Sequence, residues 1–392
     1  MSISVHAITP SFYKNACVSY NFTMINTIET GILYSNPKPH LKSVHAYFPS
    51  VAQLPDGKMI AVYALGEAFE AINLHTHVSF SSDNGKTWQY AGRLLNEIKN
   101  KITSDASRIT ALPEGNIVIL TCVYDRTGHT EEGLTNPDTV GFVPTSFYLI
   151  FSFDGGKTFS APQQINPPVT GPCFELCCPV TILSDGTWLI PTSTWKAWDG
   201  SCPSGMKAIA FISTDKGKNW GEYSVVMDAY SKGIIFWESK IIEMLDGNLV
   251  AVAWAYDGKN KIDLPNHFAI SKDRGRTWTE PISTDLYGQT LTSIVLKNGK
   301  LLSVYRRMDE PGLWAAISRI EGKRWITEQQ IPLWAAKVTG LTGNTKNPAT
   351  DFHVLRFGAP SMIRLLDGSI FLAFWCYEQC ISIIRWFLIR EK

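Results

Sequence analysis

The sequence predicts an all-β fold, a six-bladed β-propeller, from two interleaved repeats and an aromatic-rich composition. One repeat is a hairpin with a tight turn that occurs six times, and the other is an octapeptide that occurs four times. Large rings are abundant, with 13 Trp, 19 Phe and 14 Tyr, as expected where wedges between blades must be filled. Because one such unit cannot bury its own faces, residues 1–392 are predicted to form a single propeller domain.

The hairpin repeat defines the blades in chain order. In each copy a hydrophobic run crosses a turn in which Asp, Asn or Glu precedes glycine, which is a strong short-range signal for two antiparallel strands. Each turn is expected to join the inner two strands of a blade, giving about 24 strands in all. The six runs are 50–63, 108–121, 179–192, 240–254, 292–305 and 361–374.

The octapeptide repeat, S-x-D-x-G-x-[TN]-[WF], is predicted to clip the outer strands together. Its Asp can accept backbone N–H bonds across the turn, its Gly supplies a positive φ, and its aromatic ring packs under the loop. The acids Asp83, Asp154, Asp215 and Asp273 are therefore expected to be structural. An eroded fifth copy at 318–325 carries Ile320 in place of the Asp, so blade 5 is predicted to be the least regular.

The charge balance excludes several classes of partner. With 36 basic and 35 acidic side chains there is no electrostatic case for nucleic acid or an anionic membrane. No apolar run is long enough to span a bilayer. The first residues lack a secretory leader, so the eight cysteines are expected to be reduced thiols of a cytoplasmic protein, although a secreted chain without its leader would look the same. The oligomeric state is not indicated.

The candidate site lies where the innermost strands enter the central channel. Glu175 and Glu238 occupy nearly equivalent positions in neighbouring blades, and two facing carboxylates are what glycoside hydrolysis requires. We predict this pair to be catalytic; the alternative is that one or both are ion-paired residues of the channel wall. No cofactor and no metal site are predicted, since the cysteines lack zinc-like spacing. Residues expected to contact the substrate are Tyr47, His75, Asp105, Arg108, Trp237, Gln289, Arg306 and Arg356.

The octapeptide resembles the Asp-box, or BNR repeat, of the sialidase (neuraminidase) superfamily, and the six hairpins extend the resemblance over essentially the whole chain. The segment 237–247 resembles the sialidase segment whose glutamate partners the catalytic tyrosine, and Glu238 matches that glutamate. The remaining signature differs. Two arginines of the family's carboxylate-binding triad correspond to Tyr47 and to the neighbourhood of Trp254, and its nucleophilic tyrosine corresponds to Ala359.

The resemblance implies a carbohydrate substrate and leaves three hypotheses for function. The first is an exo-acting glycoside hydrolase that uses the glutamate pair, an arrangement similar to that of the exo-arabinanase-like propellers. The second is a true sialidase with a clamp rebuilt from Arg108, Arg306 or Arg356. The third is a non-catalytic glycan-binding propeller. The family's usual acid has its nearest candidates in Glu67 and Glu70, and the missing arginines predict a sugar that is neutral or charged differently from a sialic acid.

Overall fold

The computed structural model describes residues 24–96, 100–343 and 347–392. Six antiparallel sheets, each four strands wide, are arranged as the blades of a propeller, which confirms the predicted all-β fold and the blade number. Helix in these residues is limited to a 3₁₀ turn at Tyr230–Lys232 and one α-helical turn, α1 (Pro348–Asp351).

The ring is closed by strands from opposite ends of the described chain. The first strand, β1 (Ile25–Tyr34), pairs antiparallel with the last strand and forms the outer edge of blade 6. The other three strands of that blade come from the far end of the sequence. Blade 6 therefore forms only when the chain has traversed the whole ring.

Blades 1 and 2 follow the expected plan, with strands in chain order from the axis to the rim. The second strand of each is buried along nearly its whole length, because sheet neighbours flank it and adjacent blades cover both faces. Blade 1 consists of β2 (His45–Gln53), β3 (Met59–Gly66), β4 (His75–Ser81) and β5 (Gln89–Arg93); blade 2 consists of β6 (Thr103–Ala111), β7 (Ile117–Asp125), β8 (Thr145–Ser152) and β9 (Gln163–Gln164).

Blade 3 has a broken inner strand, so the described chain has 25 strands rather than about 24. The break spans residues 175–180, where Pro179 has no N–H for the strand ladder. Both halves pair with the same second strand. The strands are β10 (Cys173–Phe174), β11 (Thr181–Ile182), β12 (Trp188–Trp195), β13 (Ala208–Ser213) and β14 (Glu222–Met227).

Blades 4 to 6 repeat the plan of the first two. All six predicted turns connect the inner two strands of a blade, and their glycines have φ between 78° and 87°, a region that favours glycine. The strands are β15 (Ile234–Glu243), β16 (Leu249–Asp257), β17 (Ile262–Ser271) and β18 (Ile282–Ser283); β19 (Gly288–Val295), β20 (Leu301–Arg307), β21 (Gly312–Glu321) and β22 (Arg324–Trp334); and β23 (Phe357–Arg364), β24 (Ile370–Glu378) and β25 (Ile381–Glu391), joined by β1.

The prediction that blade 5 is the least regular is wrong. Strands β21 and β22 pair through Ile320↔Trp325 and Glu321↔Arg324, within the eroded octapeptide itself. Ile320 cannot accept the backbone N–H bonds that hold the other copies open, so the strands continue and close over a short turn at Gly322. Blade 3, with its broken inner strand, is the least regular.

The intact octapeptides form the predicted clips, as the second copy shows. Asp154 Oδ1 accepts bonds from the Ser152 hydroxyl at 2.9 Å and from the Thr158 N–H at 3.0 Å, and Oδ2 accepts the Thr158 hydroxyl at 2.6 Å. Gly156 lies so close to Ile60 and Phe80 of blade 1 that an added Cβ would be 2.9 Å from either side chain. The clip thus closes one blade and packs it on its neighbour.

We predict that Asp154→Asn lowers the melting temperature at pH 7 and that the difference from wild type shrinks in acid. The hydrogen bonds from Thr158 and Ser152 lower the pKa of Asp154 to about 2, from an ordinary 3.8. The carboxylate's contribution is therefore present above about pH 4 and is lost as the pH falls toward 2. Thermal melts of both proteins between pH 7 and 2 measure it; parallel curves for the two would contradict it.

Candidate functional site

A cavity of about 490 Å³ occupies the centre of the ring, and every blade contributes to its wall. At one level the wall is formed by six residues that each precede the turn glycine of their blade by nine positions. We call them the upper ring: Phe48, Ala106, Cys177, Glu238, Thr290 and Ala359.

Four members of the upper ring have a left-handed backbone. The φ angles are 54° at Phe48, 52° at Glu238, 56° at Thr290 and 46° at Ala359. At each of them the pairing between the inner and second strand shifts register, as at a β-bulge. Such a bulge redirects a side chain that the pleat would otherwise point along the sheet normal. Each costs about 1–3 kcal/mol for a residue other than glycine, so the conformation is maintained by its surroundings.

Glu238 therefore reaches the cavity from a strained position on β15. Its carboxyl is half-buried, and among the described residues its buried Oε2 has no hydrogen-bond partner. A buried carboxylate oxygen without a partner is costly, which is typical of an atom reserved for a ligand or a reaction.

Glu175 enters the same cavity through the break in the inner strand of blade 3. Its Oε2 accepts the backbone N–H of Glu238 at 2.9 Å and lies 3.4 Å from the Cys177 sulfur. Burial and, after it, the negative charge of Glu238 raise the pKa of Glu175 to about 7, against the opposing effects of these hydrogen bonds and of Lys240. Near neutrality this carboxyl can both hold and release a proton.

Four cationic side chains from different blades line the cavity with the glutamates: Arg108, Lys240, Arg306 and Arg364, the last of which is paired with Glu391. Arg306 is fixed by its surroundings, since Nε and Nη2 donate to Gln289 Oε1 at 3.1 and 2.6 Å and Nη1 donates to the Phe357 carbonyl at 2.9 Å. Gln289 is held in turn by Asp263, whose Oδ2 it contacts at 3.0 Å. Gln289 thus orients Arg306 from behind the cavity wall.

Glu70 adds a third carboxyl, from the loop between β3 and β4 at the end of the channel where the inner strands begin. Burial raises its pKa to about 7, opposed by a bond from the Leu134 N–H and by the charge of Arg126. Arg126 is fully buried and donates to the Glu70 carbonyl at 2.9 Å, which ties this loop to blade 2. Glu67, the other sequence candidate for an acid, is exposed and does not line the cavity.

Of the predicted site residues, Glu175, Glu238, Arg108 and Arg306 line the cavity together, and the others do not. Asp105 is buried between blades, where its Oδ2 pairs with His75 Nδ1 at 2.8 Å. Both side chains are thereby committed to each other rather than to the channel.

The remaining predicted contacts lie behind the wall. Tyr47 is fully buried, with its hydroxyl 2.8 Å from that of Tyr377. Arg356 stacks on the Tyr377 ring at 5.0 Å. Trp237 packs between Trp195 and Tyr256, with ring centres 5.0 and 5.1 Å away. Phe48 and Glu238, the left-handed residues that follow Tyr47 and Trp237, turn toward the axis. The rings of Tyr47 and Trp237 therefore stay within their blades.

Sequence reasoning missed Lys240 and several aromatic rings. Lys240 precedes its turn glycine by seven positions, the same offset as Arg108, and that equivalence was a usable signal. Phe69, Phe142 and Phe352 also line the cavity but come from loops outside the repeat, where no periodic signal exists.

Two negative findings apply to residues 24–96, 100–343 and 347–392. No group of three or more His, Cys, Asp or Glu side chains is placed to hold a metal ion there. No helix in that part is long and apolar enough to cross a membrane.

Sequence comparison places the chain among BNR repeat-like domains, whose family pattern matches residues 134–332. A sialidase of Paraclostridium sordellii is 25% identical over 248 residues, which cover 59% of this chain and 56% of that protein. The match therefore spans little more than half the length of that relative.

Comparison of structures gives the same fold. A protein of unknown function from Dyadobacter fermentans superposes with a TM-score of 0.70 at 18% identity, covering 95% of this chain and 100% of that one. The leech intramolecular trans-sialidase, complexed with 2,7-anhydro-Neu5Ac, superposes with a TM-score of 0.62 at 12% identity, covering 93% of this chain and 70% of that one. At such identities the likeness shows the fold alone.

We predict that Glu175→Gln melts at a higher temperature than wild type at pH 8 and at nearly the same temperature at pH 4.5. Because the pKa of Glu175 is raised from an ordinary 4.5 to about 7, ionising its carboxyl destabilises the folded wild-type protein. The wild type therefore loses stability as the pH rises from 4.5 to about 7, whereas glutamine does not titrate. Glutamine keeps an oxygen that can accept the Glu238 N–H. A lower melting temperature for the variant at pH 8 would show that the carboxylate stabilises the fold instead.

Proposed function

The chain belongs to the BNR repeat-like family and to the sialidase superfamily of six-bladed propellers, and from this premise we propose that it is an exo-acting glycoside hydrolase with Glu175 and Glu238 as its catalytic pair. The observation that carries the proposal is that these two glutamates, from neighbouring blades, face one cavity and are linked through the Glu238 N–H. Two carboxyls that face one cavity are the minimal equipment for this reaction.

The roles follow from the environments of the two carboxyls. Glu175, with its raised pKa, holds a proton near neutrality and donates it to the glycosidic oxygen as the bond to the anomeric carbon breaks. Glu238, whose Oε2 has no partner among the described residues, supplies the electron pair on the other side. If Glu238 bonds to the anomeric carbon, a water that gives a proton to Glu175 then displaces it and leaves Glu175 protonated again. If Glu238 instead takes a proton from the attacking water, it releases that proton to solvent and Glu175 regains one from solvent.

The shape of the cavity favours action on a chain end. Loops narrow the end of the channel near Glu70, where the rings of Phe69 and Phe352 lie 5.5 Å apart. Asn347 Nδ2 also donates to the Pro137 carbonyl at 2.7 Å, which links a loop preceding blade 6 to one of blade 2. A terminal sugar can enter such a cavity, and its volume is typical of small-molecule sites.

The residues of the cavity wall favour catalysis by a carboxylate pair over catalysis by the sialidase set of a nucleophilic tyrosine and an arginine triad. At the position of the family's nucleophilic tyrosine, Ala359 presents only a methyl group to the cavity. Tyr47, at the position of a triad arginine, is buried against Tyr377 and does not line the cavity. The ligand of the leech neighbour is a sialic acid derivative, and this supports a carbohydrate as the substrate here without naming the sugar.

One observation favours the second hypothesis, a sialidase with a rebuilt clamp. Arg108, Arg306 and Arg364 line the cavity. Arg364 is paired with Glu391 and donates to the Val295 carbonyl, so two guanidinium groups are available to an anionic sugar. The third candidate, Arg356, stacks on Tyr377 and also donates to the carbonyls of His353 and Leu355. Two guanidinium groups fall short of the convergent triad of that family.

We predict that Glu238→Gln lowers turnover by several orders of magnitude while its melting temperature stays near that of wild type. The variant removes the only carboxylate with a buried unpartnered oxygen in the described part of the cavity and keeps the backbone N–H that bonds Glu175. A screen of aryl glycosides and natural oligosaccharides with both proteins measures it, and Glu222→Gln, on the exposed outer strand of blade 3, is the matched control. Equal rates in the two variants, or unfolding of Glu238→Gln, would refute the assigned role.

We further predict little or no hydrolysis of a standard aryl sialoside. A sialic acid carries its carboxylate on the anomeric carbon, and two of the arginine positions that would bind it are Tyr47 and Trp254. Each missing charge-assisted contact removes about 1.5–3 kcal/mol of binding, so recognition should fall by about two to four powers of ten. A robust rate on this sialoside that is abolished by Arg306→Ala would establish the rebuilt clamp instead.

A further inference from the structure

A second ring of residues lies beneath the upper ring. Its members precede their turn glycines by seven positions, two residues farther along each inner strand and away from the loop that carries Glu70. We call it the deeper ring: Ser50, Arg108, Pro179, Lys240, Thr292 and Ser361. All of these except Ser50, which is fully buried, line the same cavity as the glutamates.

The two cations of the deeper ring have carbonyl oxygens as partners. Arg108 Nη1 donates to the carbonyls of Phe48 and Ser107, each at 3.1 Å. Lys240 Nζ lies 3.4 Å from the Glu238 carbonyl. Neither cation forms a salt bridge in the part of the chain that the structure describes. Arg108 lies in the field of Glu238 and Lys240 in that of Glu175, but neither cation is neutralised by a direct ion pair among the described residues, so both remain available to an added anion.

The positive charges of Arg108 and Lys240 both affect the thiol of Cys178 in the cavity wall. Burial raises the pKa of the Cys178 thiol to about 11, and the positive charges of Lys240 and Arg108 both oppose that rise. The two cations belong to blades 2 and 4, on either side of blade 3, and line the same cavity as Cys178. The other lining members with polar side chains, Thr292 and Ser361, carry hydroxyls. The deeper ring thus combines two positive charges with neutral hydrogen-bonding groups and contains no carboxylate.

We propose that the deeper ring binds an acidic substituent of the sugar, a carboxylate or a sulfate, which makes the substrate of the hydrolase an acidic glycoside. Guanidinium and ammonium groups form strong charge-assisted bonds to both kinds of oxyanion. The inference rests on the proposed function, since it takes the reacting end of the sugar to lie against Glu175 and Glu238.

The spacing of the two rings specifies where on the sugar the acidic group lies. Two residues of strand separate them, which is about 7 Å along the channel. A carboxylate on the anomeric carbon would stay at the level of Glu238, whereas one on the far side of the sugar ring reaches toward Arg108 and Lys240. The acidic group is therefore remote from the anomeric carbon, as in a hexuronic acid or a 6-sulfated hexose, and unlike that of a sialic acid.

A binding measurement that needs no turnover tests the inference. Calorimetric titration of the Glu238→Gln protein with glucuronate, galacturonate, glucose 6-sulfate and glucose compares acidic sugars with a neutral one. We expect at least one acidic sugar to bind tightly and glucose to bind weakly. Adding Lys240→Met or Arg108→Gln should weaken the acidic sugar about ten- to hundredfold and leave glucose unchanged. Lys272→Met, an exposed lysine on a clip, is the matched control, and Lys240→Gln serves where Lys240→Met lowers the melting temperature.

The possible outcomes test the acidic subsite and the hydrolase activity separately. Tight binding of the uronates alone identifies the acidic group as a carboxylate, and tight binding of glucose 6-sulfate alone identifies it as a sulfate ester. Either result supports the inference. Equal binding of glucose and the acidic sugars overturns it, as does binding of inorganic sulfate as tight as that of glucose 6-sulfate. Hydrolysis of neutral glycosides by the wild-type protein as fast as that of their acidic counterparts would retain the hydrolase and reject the acidic substrate. Acidic sugars that bind through Lys240 but are never cleaved would retain the subsite and reject the hydrolase.

Discussion

A repeated distortion of the inner strands determines what the channel can contain. In a regular strand the side chains alternate between the two faces of a blade, so they pack against neighbouring blades rather than facing the axis. The left-handed residues at Phe48, Glu238, Thr290 and Ala359 break this alternation at one level of four blades. Closing six blades into a ring brings these four residues around a common space. The fold thus provides a set of positions that face the cavity, and the residue type at each decides the chemistry.

The electrostatics of the site follow from placing charges in that space. Glu238 gives its backbone N–H to Glu175 and leaves its own Oε2 without a partner among the described residues, so the two carboxyls are neighbours in one cavity. Burial and mutual repulsion keep a proton on Glu175 near neutrality. One level deeper, the charge of Lys240 opposes the rise in the pKa of Glu175, and Arg108 is attracted by Glu238. Neither cation forms an ion pair with either carboxyl. The same residues therefore tune the pair and remain available to an anionic ligand.

The sequence allowed the fold to be predicted in more detail than the site. The blades could be counted because the turn glycines require a positive φ, a local constraint that leaves a visible mark. The prediction for blade 5 fails because the loss of Asp from a clip does not disorder the strands, which pair through Ile320 instead. The prediction that Tyr47 and Trp237 line the pocket rests only on their distance in sequence from the turn glycines. The bulge at the next residue turns that residue, and not Tyr47 or Trp237, toward the axis. The position of the Phe352 side chain in the cavity wall could not be predicted, since its loop belongs to no repeat.

The most direct test of the account is a crystal structure of the Glu238→Gln protein with a cleavable oligosaccharide identified by screening. We expect a terminal sugar in the central cavity, with its glycosidic oxygen within hydrogen-bonding distance of Glu175 and its anomeric carbon facing residue 238. A sugar bound at the rim of the blades, or one whose glycosidic oxygen contacts Glu70 and not Glu175, would contradict it.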